Sequence, residues 1–112
     1  MADSFVEDAP IYSSLAADPM MAELVEMYVD ETAEKISALE AAFASSDRDK
    51  LRSVAHQMKG AAGSYGFDQV TAGAAVLETA VRNDQPAEAV QAHLDELIAL
   101  CRRIRSGTGP TA

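Results

Sequence analysis

The sequence is poor in aromatic residues and in cysteine: it has no tryptophan, only three phenylalanines and three tyrosines, and a single cysteine, Cys101. One cysteine excludes an internal disulfide framework and fits a reducing compartment. No stretch approaches the roughly 18 apolar residues that span a membrane. The start of the chain, Met1-Ala2-Asp3-Ser4, is acidic and lacks the features of a secretion signal. We therefore expect a soluble cytoplasmic protein that does not bind a membrane.

Basic residues are scarce as well, with 9 lysines and arginines against 18 aspartates and glutamates and a formal net charge of −9. Nucleic acids require a basic surface, so this balance argues against them as partners. Runs of β-branched residues are missing, whereas alanine and leucine are abundant, which favours helices over strands. A chain of 112 residues is long enough for one domain with a real core but not for two.

Helix-capping residues and apolar spacing divide the chain into four helices. Asp18-Pro19 is a good helix start, and neither glycine nor proline occurs between Pro19 and Gly60. The run Ser46-Asp47-Arg48-Asp49 resembles a capping box, and Gly66 is placed to end the helix that this run begins. We predict helices over residues 19–44, from the capping box to Gly66, over residues 67–83, and from Pro86 to about Ile104.

Residues that recur at steps of three and four, all apolar except Thr32, define the predicted core faces of these helices. They are Met21, Val25, Tyr28, Thr32, Ile36, Leu39 and Phe43 in the first helix; Leu51, Val54, Ala55, Met58, Ala62 and Tyr65 in the second; Val70, Ala74, Leu77 and Val81 in the third; and Val90, Leu94, Leu97, Cys101 and Ile104 in the fourth. We also expect Met20 and Met27 in or near the core.

Four helices with short connections favour an all-α fold, an antiparallel up-down-up-down four-helix bundle. We assign residues 11–105 to this bundle, with a short N-terminal helix at Ile11–Leu15 lying against one end. Residues 1–10 are acidic and end in a proline, so we interpret them as a flexible leader. Residues 106–112 consist mainly of small residues and proline, and we predict that this tail is disordered.

One stripe of the second helix combines a histidine, a cation and two glycines. His56, Lys59, Gly60 and Gly63 stand at positions i, i+3, i+4 and i+7, away from the predicted core face. Each glycine inside a helix costs about 1 kcal/mol relative to alanine, so two of them beside a histidine indicate close approach by another molecule. A neutral imidazole has a lone pair that can attack phosphorus. The stripe therefore predicts a histidine that carries a phosphoryl group while docked against another protein.

The surroundings of this histidine are locally positive although the chain as a whole is acidic. The segment from Lys50 to Gly66 contains Lys50, Arg52 and Lys59 and no acidic residue. A phosphoryl group brings a charge of about −2, which such a patch attracts and stabilises. Lys59, one turn from His56, is the residue expected to stabilise a phosphohistidine or the transition state of transfer.

The run His56-x-x-Lys59-Gly60, followed by Gly66 at the helix end, resembles the signature of histidine-containing phosphotransfer (HPt) domains, the histidine carriers of multistep phosphorelays. The helix lengths and breaks from about Ile11 to about Ile104 are also similar to that family's four-helix bundle. The resemblance implies that Nε2 of His56 accepts a phosphoryl group from the phospho-aspartate of a receiver domain and passes it to another receiver. It implies a phosphocarrier rather than an enzyme, with response-regulator receivers as partners and a hybrid histidine kinase as a further one.

The resemblance also implies a surface for the partner. A glycine at the Gly60 position leaves room for the receiver's active-site loops, and Gly63 either belongs to the same surface or packs toward the core. Arg52 and Gln57 complete the predicted partner-binding surface beside His56. The chain has no Walker-type glycine-rich loop for a nucleotide, so we expect no cofactor of its own and Mg²⁺ only in the receiver.

Two residues of the third helix, Glu78 and Arg82, stand one turn apart at positions where some family members carry glutamine and arginine near the phosphorylated histidine. Arg82 matches that pattern and is expected to help hold a phosphate. Glu78 departs from it: the carboxylate either repels a phosphate, or orients His56 through a hydrogen bond, or is merely solvated. His93, with acidic neighbours, is interpreted as a surface residue, and no spacing of histidines, cysteine and acids predicts a metal site.

Other functions stay open at this point. A histidine-kinase dimerisation domain also places a histidine on a helical bundle, but that class has an acidic residue after the histidine and a proline a few positions on, where this chain has Gln57 and Gly60. A non-catalytic adaptor that binds receiver domains has the same features without the chemistry. An HPt module excised from a larger hybrid kinase has the same features together with the chemistry. We expect a monomer, whereas the kinase dimerisation domain pairs.

Overall fold

The computed structural model describes residues 9–108. Four helices and two short strands follow one another as β1 (Ile11–Tyr12), α1 (Pro19–Ala44), α2 (Arg48–Ser64), α3 (Asp68–Arg82), α4 (Ala87–Arg103) and β2 (Ile104–Arg105). The predicted all-α class and the four helices are confirmed, and the helix bounds agree within a few residues. Consecutive helices pack on one another, and α4 packs against α1. The up-down direction of all four helices stays a prediction.

The helix ends follow from the capping residues. The Asp18 carboxylate accepts a hydrogen bond of 2.9 Å from the backbone N–H of Met20 at the start of α1. Asp47 caps α2 in the same way, accepting from the N–H of Lys50 at 3.0 Å. Beyond the end of α2, Gly66 adopts a φ of 81°, in the left-handed region that favours glycine. A Cβ at Gly66 would also collide with the Ser13 hydroxyl. The positive φ and the lack of space therefore both require a glycine in this turn.

The predicted core faces are the ones that the fold buries. Val25, Leu39, Ala55, Leu77 and Leu97 are fully enclosed, one or two from each helix. Most of the other predicted core residues are buried with them, and the rest, Met21, Ile36, Phe43, Val54 and Tyr65, are partly buried against the same cluster. Burial of Cys101 raises the pKa of its thiol to about 11, as desolvation disfavours the thiolate.

The prediction for the methionines is wrong at two positions. Met58 is buried and Met21 packs against the core, but Met20 is 84% exposed and Met27 is 51% exposed. Both lie on a different side of α1 from Val25 and Tyr28, the nearest fully buried residues of this helix. None of the helices in the described part of the chain is long and apolar enough to cross a membrane.

The predicted short helix at Ile11–Leu15 is wrong. Ile11 and Tyr12 instead form β1, which runs parallel to β2 with Ile11 opposite Ile104. The backbone N–H of Ser14 then donates to the carbonyl of Gly66 at 3.0 Å. A buried Ile11 side chain and pairing with a distant strand outweigh the single helical turn that this segment offers. Residues 1–8 of the predicted leader and 109–112 of the predicted tail lie outside the described residues.

Candidate functional site

The centre of α2 presents a histidine to solvent. The buried face of this helix consists of Leu51, Ala55, Met58 and Ala62, and a helix with that face directs position 56 outward. The His56 side chain is accordingly 65% exposed and that of Lys59 is 35% exposed. The outward orientation predicted from the sequence is therefore present, more fully for His56 than for Lys59.

A buried carboxylate lies beneath this histidine. Glu78 projects from α3, and its side chain is only 6% exposed. One carboxylate oxygen, Oε2, lies 2.8 Å from Nδ1 of His56, and the other, Oε1, lies 2.7 Å from Nζ of Lys59. Glu78 is thus not a solvated surface residue, and of the alternatives raised by the sequence the hydrogen bond to His56 is the one present. The three side chains form one His56–Glu78–Lys59 cluster.

The charge of Glu78 determines which ring nitrogen of His56 is free. The hydrogen bond from Lys59 lowers the pKa of Glu78, and the bond from His56 adds to this effect against the desolvation that opposes it. An ionised carboxylate only accepts hydrogen bonds, so Nδ1 of a neutral imidazole has to carry the proton that it donates. Nε2 of the exposed ring then keeps its lone pair. The cluster therefore leaves Nε2 of a neutral His56 ring as the nitrogen with a free lone pair.

This lowered pKa predicts how stability depends on pH. A carboxyl group whose pKa is lower in the folded state stabilises the fold above its unfolded pKa, and this contribution is lost as pH falls through the folded value. We expect wild type to lose more stability than Glu78→Gln between pH 6 and pH 3, because the glutamine amide does not titrate. Urea unfolding at several pH values measures the difference. Parallel pH profiles for the two proteins would contradict the assigned ion pair.

The two glycines of the stripe have different surroundings. A Cβ placed on Gly60 meets nothing within 4 Å, so this position opens to solvent. A Cβ on Gly63 would lie 3.2 Å from Oγ1 of Thr71 on α3. The same Thr71 hydroxyl donates to the carbonyl of Lys59 at 3.0 Å. Gly63 therefore permits the close packing of α2 on α3, whereas nothing in the fold requires a glycine at position 60.

The remaining predicted residues surround the cluster without joining it. Arg52 and Arg82 are exposed, and neither forms a side-chain hydrogen bond or ion pair with another residue of the described range 9–108. Gln57 lines a groove between α1 and α2. His93, expected at the surface, is partly buried and lines a groove between α3 and α4. Thr71 was not identified from the sequence, because a lone threonine on a helix carries no signal there.

Comparison with known families matches residues 23–107 to the Hpt domain. The matched range covers most of the chain and includes the His56–Glu78–Lys59 cluster and Gly60. No curated protein and no solved structure matches the chain.

Proposed function

Because the chain belongs to the Hpt domain family, we propose that it is a phosphocarrier in which His56 accepts a phosphoryl group from the phospho-aspartate of one receiver domain and passes it to another. The family itself implies a role in phosphotransfer within two-component signalling. The observation that supports the finer proposal is the hydrogen bond of 2.8 Å between Nδ1 of His56 and the buried carboxylate of Glu78. It leaves Nε2 as the nucleophile on an exposed ring.

Transfer to this chain forms one bond and breaks one. The Nε2 lone pair attacks phosphorus, the P–O bond of the acyl phosphate breaks, and the receiver's aspartate leaves as a carboxylate. The positive charge that develops on the imidazole ring is stabilised by Glu78, which accepts the hydrogen bond from Nδ1–H. Onward transfer reverses these events on a second aspartate, and the ring departs as a neutral imidazole with its Nδ1 proton in place.

Lys59 supplies the second electrostatic contribution. Its ammonium is 2.7 Å from Glu78 Oε1 and one helical turn from His56, so a small rotation of its side chain brings it toward a phosphoryl group on Nε2. Phosphoryl transfer depends mainly on positioning and on neutralising charge. Mg²⁺ and the acceptor aspartate belong to the receiver in this proposal, and the chain acts as a monomeric cytoplasmic carrier without a nucleotide site.

The open surface at Gly60 completes the proposal. The active-site loops of a receiver have to approach the α2 backbone closely enough for an aspartyl phosphate to reach Nε2 of His56. Apart from the adjoining residues and backbone of α2 itself, no atom of the described residues lies within 4 Å of a Cβ placed on Gly60, so the partner's loops have that space. The same space is absent on the α3 side of the helix, where Thr71 faces Gly63.

The test is phosphotransfer from a panel of radiolabelled, phosphorylated receiver domains to the purified chain. We expect a label that is lost in acid and survives alkali, as a phosphoramidate does, and nitrogen-15 NMR that assigns it to Nε2. Attachment to Nδ1 would contradict the role given to Glu78. Binding of a receiver without any transfer would instead support a non-catalytic adaptor.

A further inference from the structure

A second contact joins α2 and α3 at some distance from the His56–Glu78–Lys59 cluster. A Cβ placed on Gly63 would lie 3.2 Å from Oγ1 of Thr71, and the same hydroxyl donates to the backbone carbonyl of Lys59 at 3.0 Å. Gly63 follows His56 by seven residues on α2, and Thr71 precedes Glu78 by seven residues on α3. We call this the Gly63–Thr71 contact.

The equal spacing places the Gly63–Thr71 contact and the cluster on the same pair of helix faces. Seven residues are about two helical turns, or about 10 Å along the axis, and they return to the same side of a helix. The two contacts follow opposite chain directions on the two helices, so α2 and α3 run antiparallel here. Because both helices are continuous over these turns, a change in their separation at Thr71 extends to Glu78.

Lys59 links the two contacts directly. Its carbonyl accepts the hydrogen bond from Thr71, and its ammonium lies 2.7 Å from Oε1 of Glu78. Together with the His56–Glu78 bond, these are the polar side-chain contacts between α2 and α3 within residues 9–108. The bond from Thr71 is therefore the one among them that Glu78 does not itself form.

We propose that Thr71 and Gly63 are positioning residues, which set the separation of α2 and α3 so that the Glu78 carboxylate reaches Nδ1 of His56. This inference rests on the proposed function, in which that hydrogen bond leaves Nε2 free to attack phosphorus. The bond of 2.8 Å lies within the range of about 2.7–2.9 Å for charge-assisted hydrogen bonds. A few tenths of an ångström more would take it beyond that range.

The space at position 63 accommodates a glycine but not a larger residue without movement. Apart from the adjoining residues and backbone of α2 itself, Oγ1 of Thr71 is the one atom of residues 9–108 that lies within 4 Å of a Cβ placed on Gly63. A separation of 3.2 Å is tight enough that the neighbour must move by a few tenths of an ångström. Gly63→Ala therefore pushes the Thr71 hydroxyl, and α3 with it, away from α2.

The first test measures the tautomer of His56 by nitrogen-15 NMR, without any partner. We expect the neutral ring of wild type to hold its proton on Nδ1. In Gly63→Ala we expect a mixture of both tautomers, because either nitrogen of an imidazole without a fixed partner can carry the proton. Gly73→Ala on α3 is the control: its added Cβ lies nearest to the flexible end of the Leu100 side chain on α4, and we expect the wild-type tautomer.

The second test measures the rate at which phosphoramidate labels His56. A misplacement of about 1 Å costs on the order of 10²-fold in rate, so a few tenths of an ångström costs roughly fourfold. We expect that loss in Gly63→Ala and in Thr71→Val, whose methyl group keeps about 3.3–3.6 Å from a carbonyl oxygen. Thr71→Ser retains the hydroxyl and should label at nearly the wild-type rate. Circular-dichroism melts verify that each variant is folded.

The same substitutions in a Glu78→Gln background separate positioning from a general effect on the fold. If Thr71 and Gly63 act through Glu78, they slow labelling no further once the carboxylate is gone. An undiminished loss in that background would overturn the inference, and so would equal tautomers and equal rates in wild type, Gly63→Ala and Thr71→Val. If neither phosphoramidate nor any receiver labels His56 of wild type, the proposed function fails, whereas the tautomer still decides whether Thr71 positions Glu78.

Discussion

Replacing His56 by glutamine is expected to abolish phosphoryl transfer to the chain and to leave its fold intact. A glutamine amide has no nucleophilic lone pair on nitrogen, so no acid-labile label forms. The His56 side chain is 65% exposed, and the amide N–H₂ of the glutamine that replaces it can donate to Glu78. We therefore expect the free energy of unfolding to change by about 0.5 kcal/mol or less, as for an ordinary surface substitution. Transfer from a labelled receiver and thermal unfolding by circular dichroism measure the two effects.

His93→Gln is the matched control for that experiment, because it makes the same substitution at the other histidine of the chain. We expect this variant to take up label at the wild-type level. A label on His56→Gln would assign the chemistry to another residue. If His56→Gln no longer unfolds cooperatively, His56 is needed for the stability of the fold, contrary to what its exposure indicates.

The substitution Gly60→Gln is expected to slow transfer without lowering the stability of the fold. Glutamine favours a helix over glycine by up to about 1 kcal/mol, and a Cβ at position 60 meets no neighbouring side chain within 4 Å. The melting temperature should therefore rise or stay constant. The same side chain then occupies the space that the receiver needs. A misplacement of about 1 Å costs on the order of 10²-fold in rate, and we expect kcat/KM with a receiver to fall by that much.

Gly60→Ala provides the graded comparison for this prediction. One methyl group gains most of the helix propensity but projects little into the docking surface, so its effect on transfer should be several-fold smaller than that of glutamine. Equal transfer rates in wild type, Gly60→Ala and Gly60→Gln would remove the argument for close approach. A lowered melting temperature in Gly60→Gln would instead mean that position 60 is packed in the folded chain.

The helices and their core faces were predictable because their signals are local. Asp18-Pro19 and Asp47 act through backbone groups within three residues, and the apolar period of α3, from Val70 to Val81, is a property of that segment alone. The strand at Ile11–Tyr12 depends on a partner more than ninety residues away. Nothing in the local sequence indicates such pairing, and the prediction of a short helix failed for that reason.

The candidate site was predictable in part for the same reason. His56, Lys59 and Gly60 share a stripe that a helical wheel shows at once. The environment of Glu78 depends on how α3 packs against α2, which local pattern leaves undetermined, so a buried and a solvated carboxylate were both consistent with the sequence. Met20 and Met27 were predicted in or near the core but are exposed. Apolar residues at helical spacing indicate an apolar helix face, but they do not indicate whether another part of the chain covers it.

The N-terminal segment has a consequence for where the folded unit begins. The family match starts at residue 23, but Ile11 is buried against Ile104, and the backbone of Ser14 is bonded to Gly66. A chain shortened to the matched range would leave Ile104 without its strand partner and the turn after α2 without its cover. It would also remove Asp18 and Pro19, which start α1. The packed structure therefore begins before residue 23, where the family match starts, and includes Ile11 and Ser14.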